Sequence, residues 1–289
     1  MSLVTDWRSF MSNDSKMAGN HTALKRISKA VLKNIVSGLG LELRRKPARQ
    51  PESRPQSPDD LDDAYQLVQD HTMVAKEGLS CLYNQVVFCE RNHLRGDFVE
   101  CGVWKGGSVG IMALANLKHG RSRRQIHLFD AFDDICEPDA AVDGERAVRE
   151  VREWSKDAET QGRLVPVKGI YDRFGGHGTL EGNRFLLENT IGYPGEWLHF
   201  YKGWFQETLP LHSPKITEIA LLRIDADWYA STKVCLDHLY NKVVPGGFVI
   251  IDDYGAYEGC RKAVDEFISN LGRPMYLNHV NSEIRYLIA

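Results

Sequence analysis

Two apolar runs in this chain end abruptly in acids. "LLRIDADWYAST" (221–232) closes on Asp225 and Asp227, with Ala226 between them, and "GGFVIIDDYG" (246–255) closes on Asp252 and Asp253. Carboxylates gathered in one place repel and raise one another's pKa values. A divalent, oxygen-preferring cation resolves that conflict, and all-carboxylate ligation suits Mg²⁺ better than zinc. The plainer alternative is that Asp227 caps the helix that follows, and that Asp252 or Asp253 sits in a turn ended by Gly255.

A second constellation lies upstream. "ECGVWKGGS" (100–108) carries glycines at 102, 106 and 107 directly before a helical pattern, where backbone N–H groups can turn tightly and approach a ligand. The spacing is neither G-x-G-x-x-G nor that of a phosphate-binding P-loop. Glu100 would repel a pyrophosphate and welcome an ammonium, which favours a cofactor with an amino-acid moiety over a dinucleotide. A strand-to-helix turn with no ligand is the alternative. "LFDAF" then ends a strand pattern at Asp130, where an acid can take both hydroxyls of a ribose or, more simply, cap a helix. Glu100 and Asp130 together point to an amino-acid-bearing nucleoside such as S-adenosylmethionine.

Both constellations need a scaffold that brings strand ends together. Strand patterns fall at "DFVECGV" (97–103), "QIHLFDAF" (125–132), "WLHFYKG" (197–203), "EIALLRID" (218–225) and "GFVIID" (247–252). Helical patterns fit between them at 108–118, around 145–156, at 229–242 and at 260–270. Near-continuous Val/Ile/Leu strands separated by helices predict an α/β fold, a doubly wound and mostly parallel sheet covered on both faces. In such a sheet the carboxyl ends of the strands open onto one crevice, so the acids converge there. "PMYLNHV" and "IRYLIA" predict a terminal hairpin with an antiparallel strand.

The first sixty residues read as an appendage to a domain spanning 61–289. Leu24, Ile27, Val31, Leu32, Ile35 and Val36 share one face of a basic amphipathic helix, suited to packing on its own or a second subunit, or to lying on a membrane surface. A Pro-rich linker, "KPARQPESRPQSPDD", follows. Residues 1–50 hold ten Lys/Arg against three acids, so the rest of the chain is acidic within a net charge of −3. That balance argues against a nucleic-acid surface on the main domain. The six cysteines form no CxxC pair or zinc spacing, and no stretch is long and apolar enough for a signal peptide or a membrane span. The expectation is a reduced, cytoplasmic protein.

"GDFVECGVWKGGS", "LFDAF", "KGWFQETLP", "LLRIDADWYAST", "PGGFVIIDDYGAYEGCRKAVDEF" and, upstream, "HTMVAKEGLSCL" resemble, in this order, the macrocin O-methyltransferase family. The resemblance is carried by about residues 65–289 and leaves the first sixty outside. It implies a Rossmann-like, class I S-adenosylmethionine-dependent methyltransferase that needs a divalent metal and methylates a sugar hydroxyl on a natural product, acting as a homo-oligomer. By the same resemblance Asp225, Asp252 and Asp253 are metal ligands and Asp227 is the general base. Glu100, Gly102, Gly106 and Ser108 hold the methionine part of the cofactor, and Asp130 its ribose. Thr72, Met73, Gly203, Trp204, Phe205 and Asp225 line the cofactor cleft. Where the family has Gly between the two acids this chain has Ala226, which bears on Asp227 as base. Segment 133–196 is expected to carry the substrate-specific lid. A catechol-like diol as acceptor, or a non-catalytic cofactor-binding subunit, are the alternatives.

Overall fold

The computed structural model describes residues 58–155 and 158–289. The basic helix expected within residues 1–60, and the linker as far as residue 57, lie outside the described residues. Residues 58–60, read as the end of that linker, instead open a helix, α1 (Pro58–Val68). Proline is tolerated at a first helical position, where its missing N–H has no partner to lose.

The alternation of strand and helix follows the sequence. α2 (Lys76–Arg91) precedes β1 (Asp97–Cys101), α3 (Gly107–His119) and β2 (Ile126–Asp130). Segment 133–196 holds α4 (Gly144–Trp154) and the short α5 (Leu180–Arg184) among turns. Then come β3 (Leu198–Lys202), α6 (Phe205–His212), β4 (Ile219–Ile224), α7 (Tyr229–Leu239), β5 (Val243–Ile251) and α8 (Glu258–Asn270). The chain closes on β6 (Asn278–His279) and β7 (Arg285–Ile288), the expected terminal hairpin.

Among the described residues seven strands form one sheet in the order β3-β2-β1-β4-β5-β7-β6. β1 to β5 pair in parallel, and β7 lies antiparallel on β5. The order reverses between β1 and β4, the switch point at which a doubly wound sheet leaves a crevice. The period-two alternation of side chains splits the core into two layers. Phe98, Leu128, Leu221, Phe248 and Ile250 pack with Leu79, Leu82 and Val86 on one face. Val99, Phe129, Leu222, Ile224, Val249 and Ile251 pack with Cys235, Leu236 and Val264 on the other. Two charged residues interrupt the first layer, Glu100 on β1 and Arg223 on β4, side by side in register.

The six cysteines are unbridged. No helix among the described residues is long and apolar enough to cross a membrane.

Candidate active site

A cavity of about 320 Å³ opens over the carboxyl ends of the strands. Its wall gathers Thr72, Met73, Glu100, Gly102, Ser108, Asp130, Gly203, Trp204, Phe205, Asp225, Asp227, Asp252 and Asp253, residues drawn from six separate stretches of the chain. Gly106 is the one expected residue outside that wall; it has φ +88°, and a Cβ there would run into the Asn183 side chain.

The first strand end is built by close backbone approach. Gly102 has φ +85°, and a Cβ added to it would overlap the Asp225 carbonyl oxygen, so only glycine lets β1 and β4 close at the switch point. The turn then runs to the N-terminus of α3, pressed against His71 and Thr72. Asp130 ties the second strand end to this turn. Its Oδ2 accepts the Val103 and Trp104 N–H groups at 2.6 and 3.1 Å, and its Oδ1 accepts Phe132 N–H at 2.5 Å. The Asp130 carboxyl thus braces the loop and caps no helix.

The acids of β4 and β5 are not caps either. The first N–H of α7, on Tyr229, donates to Asp143 Oδ1 at 2.7 Å, so the cap comes from the 133–196 segment and leaves Asp227 without that task. α8 starts after Tyr257 with no side-chain cap. Carboxylate oxygens of Asp225, Asp227 and Asp253 instead lie within 4.8 Å of one another. Asp227 stands at φ +54° and donates its N–H to Asp253 Oδ2 at 3.1 Å, a left-handed conformation that aspartate tolerates better than most residues. Ala226, by contrast, is not in the left-handed region, and its methyl is buried in the second core layer. The alanine is accommodated without backbone strain.

Asp252 points elsewhere, to a residue that the sequence reading passed over. Arg223, 3% exposed, donates from Nη1 to Glu100 Oε1 at 2.5 Å and to Asp225 Oδ2 at 2.9 Å, and from Nη2 to Asp252 Oδ1 at 2.5 Å. The signal was present as a lone arginine inside the apolar run "IALLRI"; its partners are set by strand order and could not be read from it. Glu100 Oε2 is buried with no hydrogen-bond partner.

Three carboxylates therefore meet one guanidinium, and Asp227 and Asp253 stand beside them. Burial pushes Glu100 up to about 8 and Asp252 up to about 7, in each case against the pull of Arg223. Burial, then the charges of their neighbours, lift Asp227 and Asp253 well above the usual carboxylate range. Burial disfavours the charge on Arg223, but Asp252, Asp225 and Glu100 outweigh it and hold the guanidinium protonated. A floor with this surplus of carboxyl groups is suited to cations, which favour their charged forms: oxygen donors for a hard divalent ion at one end, an unpartnered carboxyl oxygen for an ammonium at the other.

Segment 133–196 supplies much of the remaining wall, including Glu150, Trp154, Tyr171 and Phe174. It has its own apolar cluster of Cys136, Ala147, Val151, Val167 and Ile170 with Trp228, and Trp228 Nε1 donates to Cys136 O at 2.9 Å. Tyr257 donates its hydroxyl to Glu150 Oε2 at 2.9 Å, a further contact between the segment and the strand ends.

Comparison with known proteins agrees with this architecture. The family model described as macrocin-O-methyltransferase (TylF) matches residues 11–286. That match starts well before residue 61 and corrects the expectation that the first sixty residues stand outside the family. The chain is 33% identical over 202 residues (70% of this chain, 69% of the relative) to 8-demethyl-8-(2,3-dimethoxy-alpha-L-rhamnosyl)-tetracenomycin-C 4'-O-methyltransferase of Streptomyces olivaceus. It is 32% identical over 197 residues (68% and 67%) to demethyldecarbamoylnovobiocin O-methyltransferase of Streptomyces niveus. Among solved structures, that of the O-methyltransferase NovP covers 75% of this chain and 81% of its own, with a TM-score of 0.60 and 30% identity. By its motifs, its fold and the span of that match, the chain belongs to the macrocin-O-methyltransferase family and is an O-methyltransferase.

Proposed function

We propose that this enzyme transfers the methyl group of S-adenosylmethionine to a sugar hydroxyl of a glycosylated natural product, with a divalent cation, Mg²⁺ by preference, at the strand-end acids. The observation that carries the reading is the partly buried group of Asp225, Asp227 and Asp253, none of them capping a helix, beside Glu100 and its unpartnered oxygen. The all-oxygen donor set fits a hard cation, and the surplus of carboxylates over Arg223 gives it a reason to bind.

Asp225 and Asp253 would hold the ion, and Asp252 would complete the set expected from the family resemblance; its charge already acts on Asp227 and Asp253. When bound, such a cation supplies Lewis-acid stabilisation of the negative charge that develops on the acceptor oxygen. Glu100 would take the ammonium of the donor's methionine part, the 102–108 turn would hold its carboxylate end, and Asp130 would serve the ribose. Thr72, Met73, Gly203, Trp204 and Phe205 would enclose the rest. Asp227 would accept the hydroxyl proton as the oxygen–methyl bond forms and the sulfur–methyl bond breaks, leaving a neutral thioether. A carboxylate base lifted by burial is better matched to an alcohol proton than an ordinary one. The remaining task of the site is to hold the two reactants at attack distance, behind a wall that excludes water.

The rhamnosyl group in the name of the Streptomyces olivaceus relative supports a sugar over a catechol-like diol. The decisive assay gives purified enzyme S-adenosylmethionine and Mg²⁺ with a panel of glycosides and of phenolic diols, with and without a chelator. Chelator-sensitive methylation of a glycoside is expected. Methylation confined to phenolic diols, or turnover indifferent to the chelator, defeats the acceptor or the metal half of the reading respectively.

A further inference from the structure

One guanidinium spans the acidic floor of the cavity. Glu100 lies opposite Arg223 across β1 and β4, Asp225 follows it by two residues on the same face, and Asp252 follows Ile250, its partner across β4 and β5, by two. Strand order and the period of two therefore aim three carboxylates at one side chain. Leu79, Leu82, Ile250 and Ile284, with the amide of Gln85, line the void beneath it, and among the described residues those carboxylates are its only counter-charges. The planar fork of Arg223 meets each of them directly.

We propose that Arg223 is a positioning residue that makes the cation subsite and the cofactor subsite answer to one another, because its single guanidinium is shared between Glu100 and the pair Asp225 and Asp252. The inference rests on the reading of the site given under Proposed function. An ion that claims Asp225 and Asp252 withdraws them from Arg223, which then leans on Glu100 and leaves it less charge to offer an ammonium. An ammonium on Glu100 drives the guanidinium the other way, towards the ion's ligands. By linkage the two effects are equal, so each ligand weakens the other by one factor.

The test is calorimetric. S-adenosylmethionine is titrated into wild-type enzyme without Mg²⁺ and at saturating Mg²⁺, and into Arg223→Met and Arg223→Lys under both conditions, each variant first checked by circular dichroism and thermal melting. Mg²⁺ is expected to raise the cofactor Kd of the wild type by about fivefold or more, the low end of ordinary coupling between sites. In Arg223→Met the factor should shrink to under about twofold; Arg223→Lys, a compact charge unable to hold three acids at once, should fall between. An arginine that merely supports the fold would weaken both ligands and leave the factor unchanged. Equal factors in wild type and variants, or a wild-type affinity indifferent to Mg²⁺, overturn the proposal while leaving the proposed function standing. If Arg223→Met does not fold, Arg223→Lys decides by the same comparison. Wild-type enzyme that binds neither ligand overturns the proposed function and this inference with it.

Discussion

Among the described residues two groups of side chains are of a type and spacing that could ligate a metal, and they differ in what surrounds them. Asp225, Asp227 and Asp253 sit at the ends of two central strands, and Asp133, Asp134 and His177 sit in segment 133–196; in each the donor atoms lie within 4.8 Å of one another. The group in segment 133–196 already has its cation. Lys168 Nζ lies 2.5 Å from Asp133 Oδ1 and 3.8 Å from Asp134 Oδ2. Burial alone would raise Asp133, but Lys168 outweighs it and holds that carboxyl below the usual range. Among the described residues the strand-end group is paired only with Arg223, through Asp225, and shares it with Glu100 and Asp252; Asp227 and Asp253 are lifted above the usual range. Counting ligand-type residues does not separate the two groups; counting the charges that answer them does.

The contrast can be broken most directly at Asp227. Asp227→Asn should lower kcat by roughly 10²–10⁴-fold, the contribution of a positioned base, with cofactor affinity by calorimetry little changed. Near-normal turnover in that variant would move the base elsewhere. The scaffolds differ too. Gly102→Ala places a methyl on the Asp225 carbonyl at a left-handed backbone, and should cost about 3 kcal/mol or more of stability in urea unfolding. Gly176, equally left-handed but with nothing within 4 Å of an added Cβ, should lose only about 1–2 kcal/mol on the same change. Equal losses would mean that the strand ends are looser than the contact requires.

Metal affinity sharpens the comparison further. Asp225→Asn should weaken Mn²⁺ or Mg²⁺ binding by at least about 10–100-fold. Asp133→Asn should leave it within about twofold, since its carboxylate is already paired with Lys168. A larger effect at Asp133 would make the group in segment 133–196 the metal site. The smallest effect is expected at Lys168 itself, which is 66% exposed; Lys168→Met should shift unfolding stability by no more than about 0.5 kcal/mol.

Much of the site could be foreseen because strand ends announce themselves. The runs before Asp130, Asp225 and Asp252 are mostly apolar, and a parallel sheet collects such ends on one side. Gly102 was recognised as a turn residue, and the reason only glycine serves, the Asp225 carbonyl, lies in another strand. Segment 133–196 was the least transparent. Its helix α4 falls on the helical pattern around 145–156, but isolated bridges such as Cys136 with Pro166 have no period in the sequence.

The sequence by itself determined which stretches hold strands, and that acids stand at or beside the carboxyl ends of β1, β2, β4 and β5, since these follow from local pattern and side-chain period. Tertiary structure alone decided how the acids are divided. Strand order set Glu100, Arg223 and Asp252 on one face of three adjacent strands. The fold also brought Asp143 across 86 residues to cap the Tyr229 helix, which freed Asp227 from that role. Charge and hydrogen-bond partners are matters of distance through space, and no spacing along the chain encodes them.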